Sequence, residues 1–234
     1  MAVLPKALLW RRLDGIGSEH ALVDDAAGLH ARGTMTAAEP VPFVCRYELY
    51  TDDTWVTARF DVAVEGAGFL RTVRLERAAG RWRVTASEQG NLDATLTAAG
   101  RPRAGLPGSE DPARQARALD VDHGYSPLTN TLPVRRLGLH EGGRGSGAAQ
   151  PVEVAWVLLP GLEVVPSTQT YARLDERGGG EARLIPQADD RARNERGGGE
   201  ARLIRFTSGS FTADITVDSS GFVTHYPGLA ERAG

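Results

Sequence analysis

The middle of the N-terminal half alternates apolar and polar residues with a period of two. That period belongs to strands with one packed face and one wet face. In Phe43-Val44-Cys45-Arg46-Tyr47-Glu48-Leu49 the odd positions are apolar, and Arg46 and Glu48 occupy the wet face. After a turn at Asp52 and Asp53, a second strand runs from Trp55 to Val64. Its pattern puts Val56, Ala58, Phe60, Val62 and Val64 on the packed face and Trp55, Thr57, Arg59 and Asp61 on the other. Gly66-Ala67-Gly68 turns the chain into Phe69 to Arg77, and Ala79-Gly80 leads to a strand marked by Trp82, Val84 and Ala86. Short connections of this kind predict a meander of antiparallel hairpins. The habit returns at Val152 to Leu159, Ser167 to Leu174, Phe211 to Val217 and Phe222 to Tyr226, where Pro227 has no ladder donor and stops the strand. Ten or more strands are expected. Short helices are predicted at 113–119 and near Thr129 to Leu137, with Thr129 or Asn130 as the cap and Pro133 in the first turn. No strand–helix–strand rhythm appears, which argues against a doubly wound sheet.

The pattern lapses in three places. Segments 99–118 and 141–150 are rich in Gly, Pro or charge and read as surface loops; Gly142-Gly143-Arg144-Gly145-Ser146-Gly147 lacks the Gly-Lys-Ser/Thr of a phosphate loop. The third is a duplication. Glu176-Arg177-Gly178-Gly179-Gly180-Glu181-Ala182-Arg183-Leu184-Ile185 recurs unchanged at Glu195 to Ile204, an offset of 19 positions. Two copies are too few for a solenoid, so 176–204 reads as a duplicated hairpin insertion in a single domain spanning 1–234. One Ala-Arg-Leu-Ile copy is expected to pair into the sheet, and the pattern does not say which.

Composition narrows the function. With 27 basic and 30 acidic residues the net charge is −3, which disfavours a nucleic-acid partner bound through broad electrostatics. Lys6 is the only lysine, an arginine bias that suits a high-GC bacterial source. Cys45 is the only cysteine, so a disulfide scaffold and a Cys-based zinc site are excluded. His20, His30, His140 and His225 show no metal-ligand spacing, and no serine sits in a Gly-x-Ser-x-Gly elbow. No metal and no cofactor are expected. The N-terminal apolar run is broken by Pro5 and Lys6, and nothing approaches the 18 or so apolar residues of a membrane-spanning helix. A cytoplasmic protein without a transmembrane segment, a monomer or weak homodimer, is the expectation.

The densest polar chemistry lies between Asp120 and Leu137. Asp120 and Asp122 share one side of an extended segment, as paired carboxylates for acid–base work, for a cation or for turn capping. Arg135 and Arg136 follow a helix start, and a buried guanidinium needs an acidic partner, here Asp120 or Asp122. With Thr129, Asn130 and Thr131 they compose a group suited to a polyhydroxyl or anionic headgroup.

These residues carry a resemblance. Trp10-Arg11-Arg12-Leu13, Glu19-His20-Ala21, Tyr47, Trp55-Val56-Thr57-Ala58-Arg59 and Gly80-Arg81-Trp82 appear in order. They are followed by Asp120-Val121-Asp122 and Ser126-Pro127-Leu128-Thr129-Asn130-Thr131-Leu132-Pro133-Val134-Arg135-Arg136-Leu137. Gln169-Thr170-Tyr171 and Asp218-Ser219-Ser220-Gly221-Phe222-Val223-Thr224-His225-Tyr226-Pro227-Gly228-Leu229 complete the series. Together they resemble the putative glycolipid-binding family over nearly the whole chain. The resemblance implies a mainly β, single-domain spiral β-roll: a curled antiparallel sheet with one or two short helices, similar to lipoprotein carriers. It implies non-enzymatic binding of a lipid or glycolipid in an apolar cavity of that sheet, with Asp120, Asp122, Thr129, Asn130, Arg135, Arg136 and Tyr171 as ligand-binding candidates and no catalytic residue. The alternatives are a protein-interaction or regulatory module, and a hydrolase-like enzyme using Asp120, Asp122 and His123.

Overall fold

The computed structural model describes residues 6–141, 147–174 and 201–233. Seven strands come first: β1 (Lys6–Arg12), β2 (Gly17–Asp24), β3 (His30–Ala37), β4 (Phe43–Thr51), β5 (Thr57–Gly66), β6 (Phe69–Ala78) and β7 (Arg81–Gly90). Helix α1 (Leu92–Ala98), strand β8 (Asp120–His123) and helix α2 (Thr131–Arg136) form the middle of the chain. The remainder is β9 (Gln150–Val157), β10 (Val164–Leu174), β11 (Arg202–Ser208), β12 (Phe211–Val217), β13 (Val223–Tyr226) and β14 (Ala230–Arg232). These fourteen strands belong to one sheet in the order β7-β6-β5-β4-β3-β2-β1-β14-β13-β12-β11-β10-β9-β8. The β1–β14 pair joins the two halves, and β8–β9 is the one parallel strand pair among the described residues.

The sheet curls into an open roll, and β9 shows why. Its Val152 and Val154 pack with Tyr171, Ile204, Phe206 and Ile215, while Ala155 and Val157 pack in a second cluster with Trp10, Cys45, Phe60 and Leu75. A strand apolar on both faces has to lie inside, between two layers. The β8–β9 end is therefore wrapped between the N-terminal and C-terminal halves of its own sheet. Where the resemblance implies an apolar cavity, Leu128 and Leu132, both fully buried, pack with Val121 and Leu92 in the second of these clusters.

The hairpin meander from β4 to β7 follows the alternation, with one shift. A bulge between Tyr50 and Thr51 moves the packed face, so Trp55 and Thr57 are buried and Ala58 is exposed. Strands β2 and β3 carry no clear signal. Glu19 sits on the packed face of β2, and the packed face of β3 carries the small residues Ala31 and Gly33, so neither reads as a hydrophobic stripe. Helix α1 is likewise unsignalled, although the Asn91 side chain accepts from the Ala94 N–H as an N-cap. Of the helix expected at 113–119 only a 3-10 turn at Pro112–Gln115 forms. The second predicted helix is a 3-10 turn at Leu128–Asn130 running into α2, and no side-chain cap holds it.

Segment 99–118 is less loop-like than its composition suggests. Gly108 N–H donates to Leu162 O, Val164 N–H donates to Gly108 O, and the buried Gln115 Nε2 donates to Val164 O. Trp156 is 37% exposed. Residues 142–146 and 175–200 lie outside the described residues, and with them the first repeat copy and most of the second. The end of the second copy, Arg202-Leu203-Ile204, is in β11, paired with β10 and β12. The sequence after each copy accounts for the choice. The second is followed by Arg205-Phe206, and Phe206 packs in the core; the first is followed by Pro186-Gln187, which would remove a ladder donor and an aromatic from an interior strand.

Candidate functional site

Two polar regions are candidates. The first is the sequence-predicted group on β8. Strand alternation turns Asp120 and Asp122 toward the C-terminal half, and Val121 and His123 toward the N-terminal half. Asp120 is fully buried and receives Nε and Nη2 of Arg136. Burial raises its pKa, and the Arg136 hydrogen bonds and charge act against that rise. The half-buried Asp122 accepts from Gln169 Nε2 at 2.6 Å and from Thr129 Oγ1 at 3.2 Å. Burial raises its pKa too, opposed by those two bonds and the His123 N–H. The network continues inward: Asn130 Nδ2 donates to Tyr171 Oη at 2.9 Å, and Tyr171 Oη–H donates to Gln169 Oε1 at 3.0 Å. Each of these donors meets an acceptor, which is how a buried polar network avoids a desolvation penalty.

Six predicted residues thus come together: Asp120, Asp122, Thr129, Asn130, Arg136 and Tyr171. Gln169, the connector, is missed as a site residue because an amide between β-prone residues carries no signal of its own. Arg135 does not join. Its Nη1 donates to Ser220 O, and its guanidinium lies 4.4 Å from the centre of the Trp55 ring. Asn130 is no helix cap, since its amide is spent on Tyr171.

The carboxylate–histidine arrangement does not form. His123 points away from Asp120 and Asp122, into rings of Tyr47 and Phe60 whose centres lie 5.2 Å away. Its Nε2 is 3.6 Å from Cys45 Sγ, and burial lowers its pKa to about 3, so the ring is neutral. Nearby, Glu19 Oε1 accepts from Tyr47 Oη and from Ser126 Oγ at 2.7 Å, while Oε2 has no partner among the described residues. Burial raises the Glu19 pKa to about 7 against the pull of those two bonds.

The second region is open. The outward face of β2–β7 forms a trough of about 1180 Å³. Cross-strand pairing sets its floor in rows. One row reads Leu22, Arg32, Glu48, Asp61, Arg74, Thr85 across six strands, flanked by His20, Thr34, Arg46, Ala63, Thr72, Ser87. The opposite flank reads His30, Tyr50, Arg59, Glu76, Arg83. Asp61 is saturated: Oδ2 accepts Nε and Nη2 of Arg59, and Oδ1 accepts Nε of Arg74 at 2.6 Å. Glu48 Oε1 accepts from Tyr50 Oη at 2.6 Å and lies 3.1 Å from His30 Nε2, and those bonds lower its pKa. The His30 and Tyr50 rings are stacked beside the trough, with centres 4.3 Å apart. The charged wet faces of β4 and β5 are visible in the sequence, but the register that aligns them into rows is not. Among the described residues no group of three or more His, Cys, Asp or Glu side chains is placed to hold a metal ion.

The family model described as putative glycolipid-binding matches residues 7–196 and, in a second stretch, 186–232. The two stretches overlap at residues 186–196, inside the interval that carries the repeat. Among solved structures, a DUF1089 family protein from Pseudomonas aeruginosa is 23% identical, with a TM-score of 0.62 over 96% of this chain and 95% of that chain. That likeness concerns the fold. No curated protein matches the chain. No helix among the described residues is long and apolar enough to cross a membrane.

Proposed function

The chain belongs to the putative glycolipid-binding family, and from that premise we propose that it is a non-catalytic glycolipid binder that seats the headgroup in the trough on the outer face of β2–β7. The observation carrying this reading is the trough floor, where Arg32, Arg46, Arg59, Arg74 and Arg83 alternate with Glu48, Asp61, Glu76, threonines and Ser87. Sugar hydroxyls both donate and accept, so they pair with mixed guanidinium, carboxylate and hydroxyl groups held on a rigid surface. The stacked Tyr50–His30 pair supplies a flat apolar edge alongside. Acyl chains do not enter the roll in this reading, because Leu128, Leu132 and the two apolar clusters occupy its interior. The Asp120–Arg136 and Asp122–Gln169 network serves as the internal scaffold that fixes β8 against α2 and β10. The hydrolase-like alternative is disfavoured by strand alternation, which separates His123 from both aspartates.

The test is co-sedimentation of the purified protein with phosphatidylcholine vesicles, with and without a glycosyl diacylglycerol. Retention on the glycolipid vesicles, reduced by Asp61→Asn, is expected. Equal and negligible retention on both vesicle types overturns the reading.

A further inference from the structure

The trough is unbalanced. It presents five arginines and three carboxylates in a chain whose overall charge is −3, so the surplus opposes the sign of the whole molecule. The surplus is also local. In the flanking row Arg59 pairs with Glu76 and Glu76 with Arg83, while Arg74 lies in the adjacent row opposite Asp61 and Thr85. Arg74 is therefore a diagonal neighbour of both Arg59 and Arg83, at roughly 7–8 Å by sheet geometry.

Asp61 spends both oxygens on Arg59 and on Arg74 Nε. That contact orients the Arg74 guanidinium while leaving Nη1 and Nη2 without an acceptor among the described residues. Arg83 makes no hydrogen bond or ion pair among the described residues, and both arginines are solvent-exposed. An arginine held by its Nε with a free terminal fork is preorganised for two parallel hydrogen bonds to an oxyanion. Neutral sugars do not need that charge.

We propose that the headgroup taken by the trough is anionic, and that Arg74 and Arg83 hold a sulphate, phosphate or carboxylate group carried on the glycolipid. This rests on the trough being the glycolipid site. The carboxylates Glu48, Asp61 and Glu76 lie in the same floor, and the first two are already engaged by Tyr50, Arg59 and Arg74. Glu76, cross-strand from Arg59 and Arg83, is the floor carboxylate left to accept from a sugar hydroxyl, and the arginines still outnumber the carboxylates.

The experiment uses the full chain with phosphatidylcholine vesicles carrying a neutral galactosyl diacylglycerol, a sulphated glycosyl diacylglycerol or phosphatidylglycerol. The wild type is compared with Arg74→Gln/Arg83→Gln and with Arg205→Gln, an exposed ion pair on the other half of the sheet. We expect the sulphated lipid to bind about tenfold or more tighter than the neutral one at low salt, with the gap closing at high salt. The double variant abolishes the gap and Arg205→Gln leaves it intact. Equal affinity for sulphated and neutral glycolipid, or an undiminished gap in the double variant, overturns the anionic headgroup while the glycolipid reading stands. Phosphatidylglycerol binding as tightly as the sulphated glycolipid supports oxyanion capture and overturns the glycolipid reading. Equal urea midpoints for all three proteins confirm that folding is not the cause.

Discussion

The two polar regions of this molecule are built from similar residues and differ in what surrounds them. On β8 and α2, Asp120, Asp122, Gln169, Tyr171 and Arg136 are closed in by the roll and answer one another donor for acceptor. On the outer face of β2–β7, Arg74 and Arg83 stand in water with donors to spare. In the first region polarity is spent on holding strands together. In the second it is available to a ligand. Residue type signals chemistry in both, and only register and burial tell scaffold from surface.

Four substitutions sharpen that contrast, beginning with the largest expected effect. Asp120→Ala leaves the Arg136 guanidinium without its buried partner and should cost about 3–5 kcal/mol, read from urea unfolding. A loss below about 1 kcal/mol, within the range of an exposed pair, would break the comparison.

Glu19→Gln tests a second enclosed group through pH. The folded pKa of about 7 lies above the ordinary 4.5, so the folded state binds the proton more tightly than the unfolded one. That stabilisation is fully present below the unfolded value and is lost as pH rises through 7. Between pH 5 and pH 8 the wild type should lose about 2–3 kcal/mol on this account. A glutamine amide at this position cannot ionise, so the variant should be flat over that window relative to the wild type. Parallel pH profiles for the two proteins would remove Glu19 as the source.

Gly33→Ala probes packing in the same enclosed layer. A Cβ at position 33 would lie 2.0 Å from Tyr47 Cζ, so the ring that reaches Glu19 must move. A loss of about 1–3 kcal/mol is expected from this overpacking, read as a lowered Tm. The smallest effect belongs to the open region: Arg74→Gln should change stability by no more than about 0.5 kcal/mol. A larger loss would make Arg74 part of the scaffold and erase the distinction.

Much of the fold is legible where alternation is clean. Strands from Phe43 to Ala86 and from Phe211 to Tyr226 follow their apolar positions, and the short-connection rhythm leads directly to an antiparallel sheet. Legibility fails where a packed face carries an unexpected residue: Glu19 in β2, and Ala31 and Gly33 in β3. Simple alternation inverts the Trp55–Ala58 face because a bulge shifts the period locally, and nothing in the residues announces it. The coming-together of Asp120, Asp122, Thr129, Asn130, Arg136 and Tyr171 follows from local spacing and the family resemblance. The trough does not, because its rows align residues from six strands. Arg135 is grouped with Arg136 for being adjacent, yet neighbouring helical positions diverge by about 100° and their side chains part company.

The β10–β11 pairing has a practical consequence. The ladder from Gln169–Ser208 to Leu174–Leu203 is complete on the strand side of the connection, and both repeat copies begin beyond the last β10 pair. The sheet is therefore indifferent to how many residues separate Leu174 from Arg202, and lengthening a connection costs little closure entropy. This connection offers a natural port for a fluorescent reporter or an affinity tag, on the C-terminal half of the sheet and in a different hairpin from any strand of the trough.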